Sequence, residues 1–298
     1  MSWRIVLLII LVTVIWGYTW SVIKIGLVDI PPFFYAALRL IIGALPLFAL
    51  QLLFRKRWIP ARKEWGKIAV MSLFMSVGYF GLLTYGMQFV SSGKASILVF
   101  FMPIVVCVLA RFVLRESLTV MKTIGLSSGV TGLLFIIGPQ LLHPAMDSEL
   151  LGQLLIVGSA VCWACATVMS KKYFTGHDII VMTSWQMLLG GVILLGIAGL
   201  TEPIDSVRWT LPGVSSLLFT GVFSSAIAFV AWFHIVNRIE ASLASIALMM
   251  VPVLGLLFGW LQLGESVAWS SIIGALFICT GILFASLNRP EVNDLRSG

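Results

Sequence analysis

Residues 103–132 read PIVVCVLARFVLRESLTVMKTIGLSSGVTG, and residues 252–281 read PVLGLLFGWLQLGESVAWSSIIGALFICTG. Pro103, Glu116, Gly125 and Gly132 of the first stretch recur as Pro252, Glu265, Gly274 and Gly281, each 149 residues later. Four special positions that keep every internal spacing mark a tandem duplication. Each copy also holds about five apolar stretches long enough to cross a bilayer, and an odd number of crossings forces the second copy to enter upside down. The expected fold is therefore an all-α integral membrane protein of ten transmembrane helices. These form two inverted five-helix repeats, over residues 1–145 and 146–298.

Composition leads to the same class. With 60% apolar residues, 10% charged residues and a mean hydropathy of +1.07, the chain could not hide its apolar surface inside one soluble core. Windows of about 20 apolar residues fall at 4–23, 33–54, 67–89, 95–114, 120–141, 151–169, 179–200, 211–235, 242–263 and 268–287. Almost nothing remains outside them, so the function is expected to lie within the membrane. The first window lacks a small-residue cleavage site and reads as a retained helix. With a cytoplasmic N-terminus, fifteen Lys and Arg residues fall inside, and only Lys24, Lys94 and Arg208 fall outside. That bias places both termini in the cytoplasm, and the inner membrane is the expected location. The net charge of +7 is mostly this topology signal and implies no nucleic-acid partner.

Aligning the copies extends the match. Trp16 and Lys24 correspond to Trp163 and Lys171, and Arg39 and Gly43 correspond to Gln186 and Gly190, all at an offset of 147. Tyr85 pairs with His234 and Gln88 with Asn237 at the later offset of 149, so two residues are inserted between the seventh and eighth helices. Trp16, Trp20 and Lys24 are spaced by four and share one helix face. Trp16 and Trp163 lie deep enough to wall a cavity with flat apolar surface and an indole donor, whereas Trp20 and Lys24 also suit an interfacial belt.

The Trp16-Gly17 pair, the arginine of Ala36-Ala37-Leu38-Arg39, the Pro103 to Glu116 spacing and the glycine-rich fifth helix together resemble the EamA-like branch of the drug/metabolite transporter superfamily. The likeness runs from Arg4 to Leu287. It implies a duplicated ten-helix carrier that exports amino acids, metabolites or drugs across the bacterial inner membrane. It further implies a central cavity lined by the first, third, fourth, sixth, eighth and ninth helices, with the fifth and tenth peripheral.

The candidate substrate-binding residues are Trp16, Trp163, Tyr85, His234, Arg39, Ser96 and Ser245. Arg39 lies within the second helix with no acid nearby in sequence. A guanidinium in hydrocarbon costs several kcal/mol, so it should face protein, water or a ligand; a carboxylate contact and a structural role both remain open. Pro103 and Pro252 interrupt the fourth and ninth helices and would free the carbonyls of Val99 and Leu248, making hinges or static kinks beside the path. Ser96 and Ser245 lie about two turns away. Glu116 and Glu265 read as turn and capping residues.

No metal site or cofactor is expected. The four cysteines fall inside apolar stretches, and Cys162-x-x-Cys165 lacks the further ligands a metal would need. The expected partners are a small solute and the bilayer, with a homodimer left open. Export of an amino acid or small amphipathic compound by alternating access is the leading reading, without enzyme activity. A passive channel or a solute-sensing membrane protein is the alternative, and an intramembrane serine hydrolase a remote one, because Gly125-Leu126-Ser127-Ser128-Gly129 matches GxSxG within a continuous apolar helix.

Overall fold

The computed structural model describes residues 3–54, 58–115, 119–141, 148–174, 178–236 and 250–286. Among these the chain is helical, with no strand. The helices are α1 (Trp3–Gly26), α2 (Pro32–Leu53), α3 (Arg62–Gly86), α4 (Ser92–Val113), α5 (Val120–Leu141), α6 (Ser148–Tyr173) and α7 (Ile179–Thr201). α8 runs through Leu211–Leu218, Phe219–Ile227 and Ala228–Val236, and α9 (Met250–Leu263) and α10 (Trp269–Ser286) follow. Eight helices are long and apolar enough to cross a membrane; α9 and α10 are shorter apolar helices as described. Ser245 and Glu116 fall outside the described residues, as does the side chain of His234.

Between apolar helices in lipid there is little hydrophobic gain, so close backbone approach does the joining. Glycines provide it at the α5–α10 contact. A Cβ on Gly132 would lie 2.6 Å from the Gly274 carbonyl oxygen, and one on Gly281 would lie 2.6 Å from that of Gly125. Gly125 and Gly132 lie 149 residues before Gly274 and Gly281, so the second contact repeats the first with the two segments exchanged. Ser128 Oγ donates to Phe277 O at 2.7 Å across the same seam. The GxSxG stretch is thus part of helix packing, and these glycines pack within one chain.

The same exchange relates two further contacts. A Cβ on Gly43 of α2 would lie 3.0 Å from Ser225 Cβ of α8, and one on Gly190 of α7 would lie 1.9 Å from Ser76 Cβ of α3. Gly43 and Gly190 stand 147 residues apart, and Ser76 and Ser225 149. α2 therefore seats on α8 as α7 seats on α3. Both receiving helices widen to π winding there, over Ser72–Gly81 and Phe219–Ile227. Hydroxyls occupy the widened turns: Ser72 and Ser76 Oγ donate to Gln186 O at 3.1 and 3.0 Å, and Ser225 Oγ donates to Thr220 O at 2.8 Å.

The kink expected at Pro103 is an outright break. α4 divides into Ser92–Val99 and Met102–Val113, and the amides of Phe100 and Phe101 reach back only three residues, to Ile97 O and Leu98 O. Pro103 sits in the first turn of the second piece, the helical position where a proline is best tolerated because the first-turn N–H has no partner within the helix. Pro252 lies in the first described turn of α9, and its carbonyl accepts from Ser96 Oγ at 3.4 Å.

Two carboxylates close helix N-termini across the chain. Glu202, just after α7, accepts from Phe33 N at 2.8 Å and Phe34 N at 2.9 Å, where α2 begins at Pro32 behind Pro31. Burial raises its carboxyl above the usual range, against the lowering effect of those two amides. Glu265 does cap a helix, but the helix is α4, distant in sequence, and its own turn is instead closed by Gly264 at a positive φ of 65°.

Candidate functional site

Trp16 of α1 and Trp163 of α6, the equivalent tryptophans, converge on one residue. Phe229 of α8 lies 5.7 Å from the Trp16 ring and 6.1 Å from the Trp163 ring. From Trp163 the contacts continue edge-on to Tyr79 at 4.5 Å and from Tyr79 to Phe80 at 4.8 Å, both on α3. The Arg39 guanidinium sits 4.7 Å from the centre of the Phe80 ring. Its Nη2 donates to Ser224 Oγ and its Nε to Ser225 Oγ, each at 3.1 Å. Ser224 returns the path to its start, because its carbonyl accepts from Trp16 Nε1 at 3.1 Å. Trp16, Phe229, Trp163, Tyr79, Phe80, Arg39 and Ser224 thus form a closed ring drawn from α1, α2, α3, α6 and α8.

The one formal charge in this ring is positive. Arg39 is 4% exposed, and its Nη1 is buried without a hydrogen-bond partner among the described residues. Two neutral hydroxyls and an aromatic face compensate a guanidinium only in part, so a further acceptor at Nη1 would be stabilising. Trp16 and Trp163 stay half-buried and supply flat apolar area, but the Trp16 indole N–H is already committed to Ser224. The ring suits a solute with an apolar or aromatic part and an acceptor group.

The other candidates lie elsewhere. Tyr85 stacks on Phe33 at 5.2 Å near the Lys24 end of α1, away from the tryptophans. Ser96 is fully buried between α4 and α9, where its hydroxyl serves Gly93 O at 2.6 Å and Pro252 O. Trp20 is buried against α9, next to Gly255. Cys162 packs on Gly78, where an added Cβ would lie 2.7 Å from its sulfur. Tyr79, Phe80, Ser224 and Phe229 did not stand out in the sequence. One signal was available, because Phe80 and Phe229 are themselves 149 residues apart.

The three basic residues that oppose the charge bias gather at the Lys24 end, and each is held by protein. Lys24 Nζ donates to the carbonyls of Met87, Gln88 and Val90 beyond the end of α3, where the helix dipole favours a cation. Lys94 pairs with Glu149, and Arg208 with Asp29 at 3.0 Å. Such pairs near a surface are worth about 0 to 1 kcal/mol each, but they fix loop geometry. Two cavities open at this end. One of about 360 Å³ is lined by Lys94, Glu149, Glu265 and Ser271 among others, and one of about 450 Å³ by Lys24, Asp29 and Glu265. Neither reaches the ring.

A bundle of helices long and apolar enough to cross a bilayer fits a multi-pass membrane protein. The chain belongs to the EamA-like transporter family, whose sequence profile matches residues 3–138 and 150–287. It is 48% identical over 279 residues to the "Uncharacterized transporter YoaV" of Bacillus subtilis, covering 94% of this chain and 95% of that one. It is 26% identical to a "Probable amino-acid metabolite efflux pump" of Escherichia coli, over 92% of each chain. A crystal structure 18% identical in sequence superposes with a TM-score of 0.69, covering 96% of this chain and 97% of the other, and shares the fold.

Proposed function

We propose that this transporter exports an amino acid or a small amphipathic metabolite or drug by alternating access, with the ring of Trp16, Trp163 and Phe229 as its binding site. The observation that carries the reading is the meeting of two equivalent tryptophans on one phenylalanine beside a buried arginine with a free donor. A carboxylate facing Arg39 and an apolar side chain on the indoles describe one solute, and the named efflux relative agrees with it. The fold is taken as two inverted five-helix repeats, 1–145 and 146–298. The exchanged glycine contacts and the two profile matches support that division. Pro103 and Pro252 serve as hinges in this scheme.

Counterflow in proteoliposomes tests it. Vesicles preloaded with a panel of unlabelled amino acids should accumulate the labelled counterpart of at least one, and Pro103→Ala should slow that exchange. Ohmic current without counterflow would replace the carrier with a channel.

Both termini are placed in the cytoplasm and the Lys24 end outside the inner membrane, on the basic-residue bias. Reporters fused after Gly298 and within residues 55–67 should both read cytoplasmic, and one near Met146 exterior. Termini on opposite sides would remove the inversion.

A further inference from the structure

We propose that Glu265 is the latch of one mouth of the transport path, a role that rests on the alternating-access reading above. Its Oε1 accepts from Ser92 N at 2.7 Å, and its Oε2 from Ser92 Oγ at 2.9 Å and Gly93 N at 3.1 Å. Ser92 and Gly93 begin α4 in the first copy, whereas Glu265 follows α9 in the second. One carboxylate therefore ties the two copies together at a helix start whose amides have no other helical partner.

The part it holds is a short arm. Residues Ser92–Val99 pack against α1, α6, α9 and α10 and are almost entirely buried, whereas Met102–Val113 pack on α5, α6 and α10 and keep more surface open. α9 seats on the arm alone among these pieces, through Leu256 against Gly93 and Gly255 against Ser96. The break at Phe100 and Phe101, followed by Pro103, separates the arm from the rest of α4. An arm pinned at its tip and jointed at its base can swing when the pin is drawn. Glu265 also lines both cavities at this end, so water reaches the pin from two sides. Three bonds to one charged group are strong enough to hold the mouth shut, yet water can replace them one at a time. Releasing them frees α4 from α9 on the way to Trp20 and, one turn deeper in α1, Trp16.

A static cap would share this geometry, so the test must detect reciprocal motion at the two ends. In detergent, Cys107, Cys162 and Cys279 are replaced and Cys165 is kept as reporter for the far half of α6. Ala95→Cys reports on the buried arm. Labelling by a bulky maleimide is then compared in Glu265 and Glu265→Gln proteins. The latch predicts labelling about tenfold faster at position 95 together with slower labelling at Cys165, as one population grows at the expense of the other. Ser92→Ala, which removes one bond, should move both rates in the same directions by less. Faster labelling at both positions would mean a loosened fold, and unchanged rates in either variant a static cap; each overturns the proposal. If Glu265→Gln does not fold, Ser92→Ala decides alone. Loss of the tryptophan site, tested separately by solute binding, would leave this result untouched.

Discussion

Alanine at Trp16 or Trp163 is expected to weaken solute binding by about 1 to 3 kcal/mol, roughly fivefold to 150-fold, the scale of a lost aromatic contact. Both rings keep part of their surface open while resting on Phe229, so truncation removes wall area from the site and not only from the core. Trp16 carries a second duty through its 3.1 Å bond to Ser224 O, which also couples it to Arg39. Trp16→Phe separates the two, since it keeps an aromatic face and drops the indole bond. It should bind within a few fold of the parent while its melting temperature falls by a few degrees, the effect of about 1 kcal/mol. Affinity and melting temperature measured side by side decide: alanine variants that melt early but bind normally would make these tryptophans mere packing.

Valine at Gly281 should cost about 3 kcal/mol or more, because its Cβ would meet backbone rather than movable side chains. The Gly125 carbonyl lies 2.6 Å and Gly129 N 3.0 Å from that position. Neither can retreat without parting α5 from α10, and the loss should appear as low yield and a lowered melting temperature. Gly132→Val should fall by a similar amount, since 132 against 274 repeats 281 against 125 with the copies exchanged. Gly138→Ala and Gly199→Ala, where nothing lies within 4 Å of an added Cβ, are the controls and should melt as the parent does. A large difference between the two valine variants would count against the twofold relation of the halves.

Repetition makes much of this protein legible in its sequence. Spacing alone paired Trp16 with Trp163 and Gly132 with Gly281, and hydropathy alone marked the membrane helices, because lipid obliges a spanning segment to bond its own backbone and show apolar side chains. Those constraints act along the chain within about 20 residues, so a linear string records them. The likeness to the EamA-like family followed from the same spacings.

Contacts between distant segments left no such record. Nothing in the string said that Tyr79 and Phe80 would carry the aromatic path while Tyr85 stacked on Phe33, because a residue's helix face is reset wherever winding changes, and α3 turns to π at Ser72. Arg39 looked like a lone charge until Ser224 and Ser225 came within 3.1 Å from a helix nearly two hundred residues away. Glu265 was legible as a cap but not as a cap for α4, and the Trp16 donor proved already engaged. Apolar windows and repeated spacings along the chain sufficed for the all-helical membrane class and the family. Which residues meet was decided only in the tertiary structure, since the choice of neighbour depends on how closely two backbones approach, and that is set by glycines and serines on another helix.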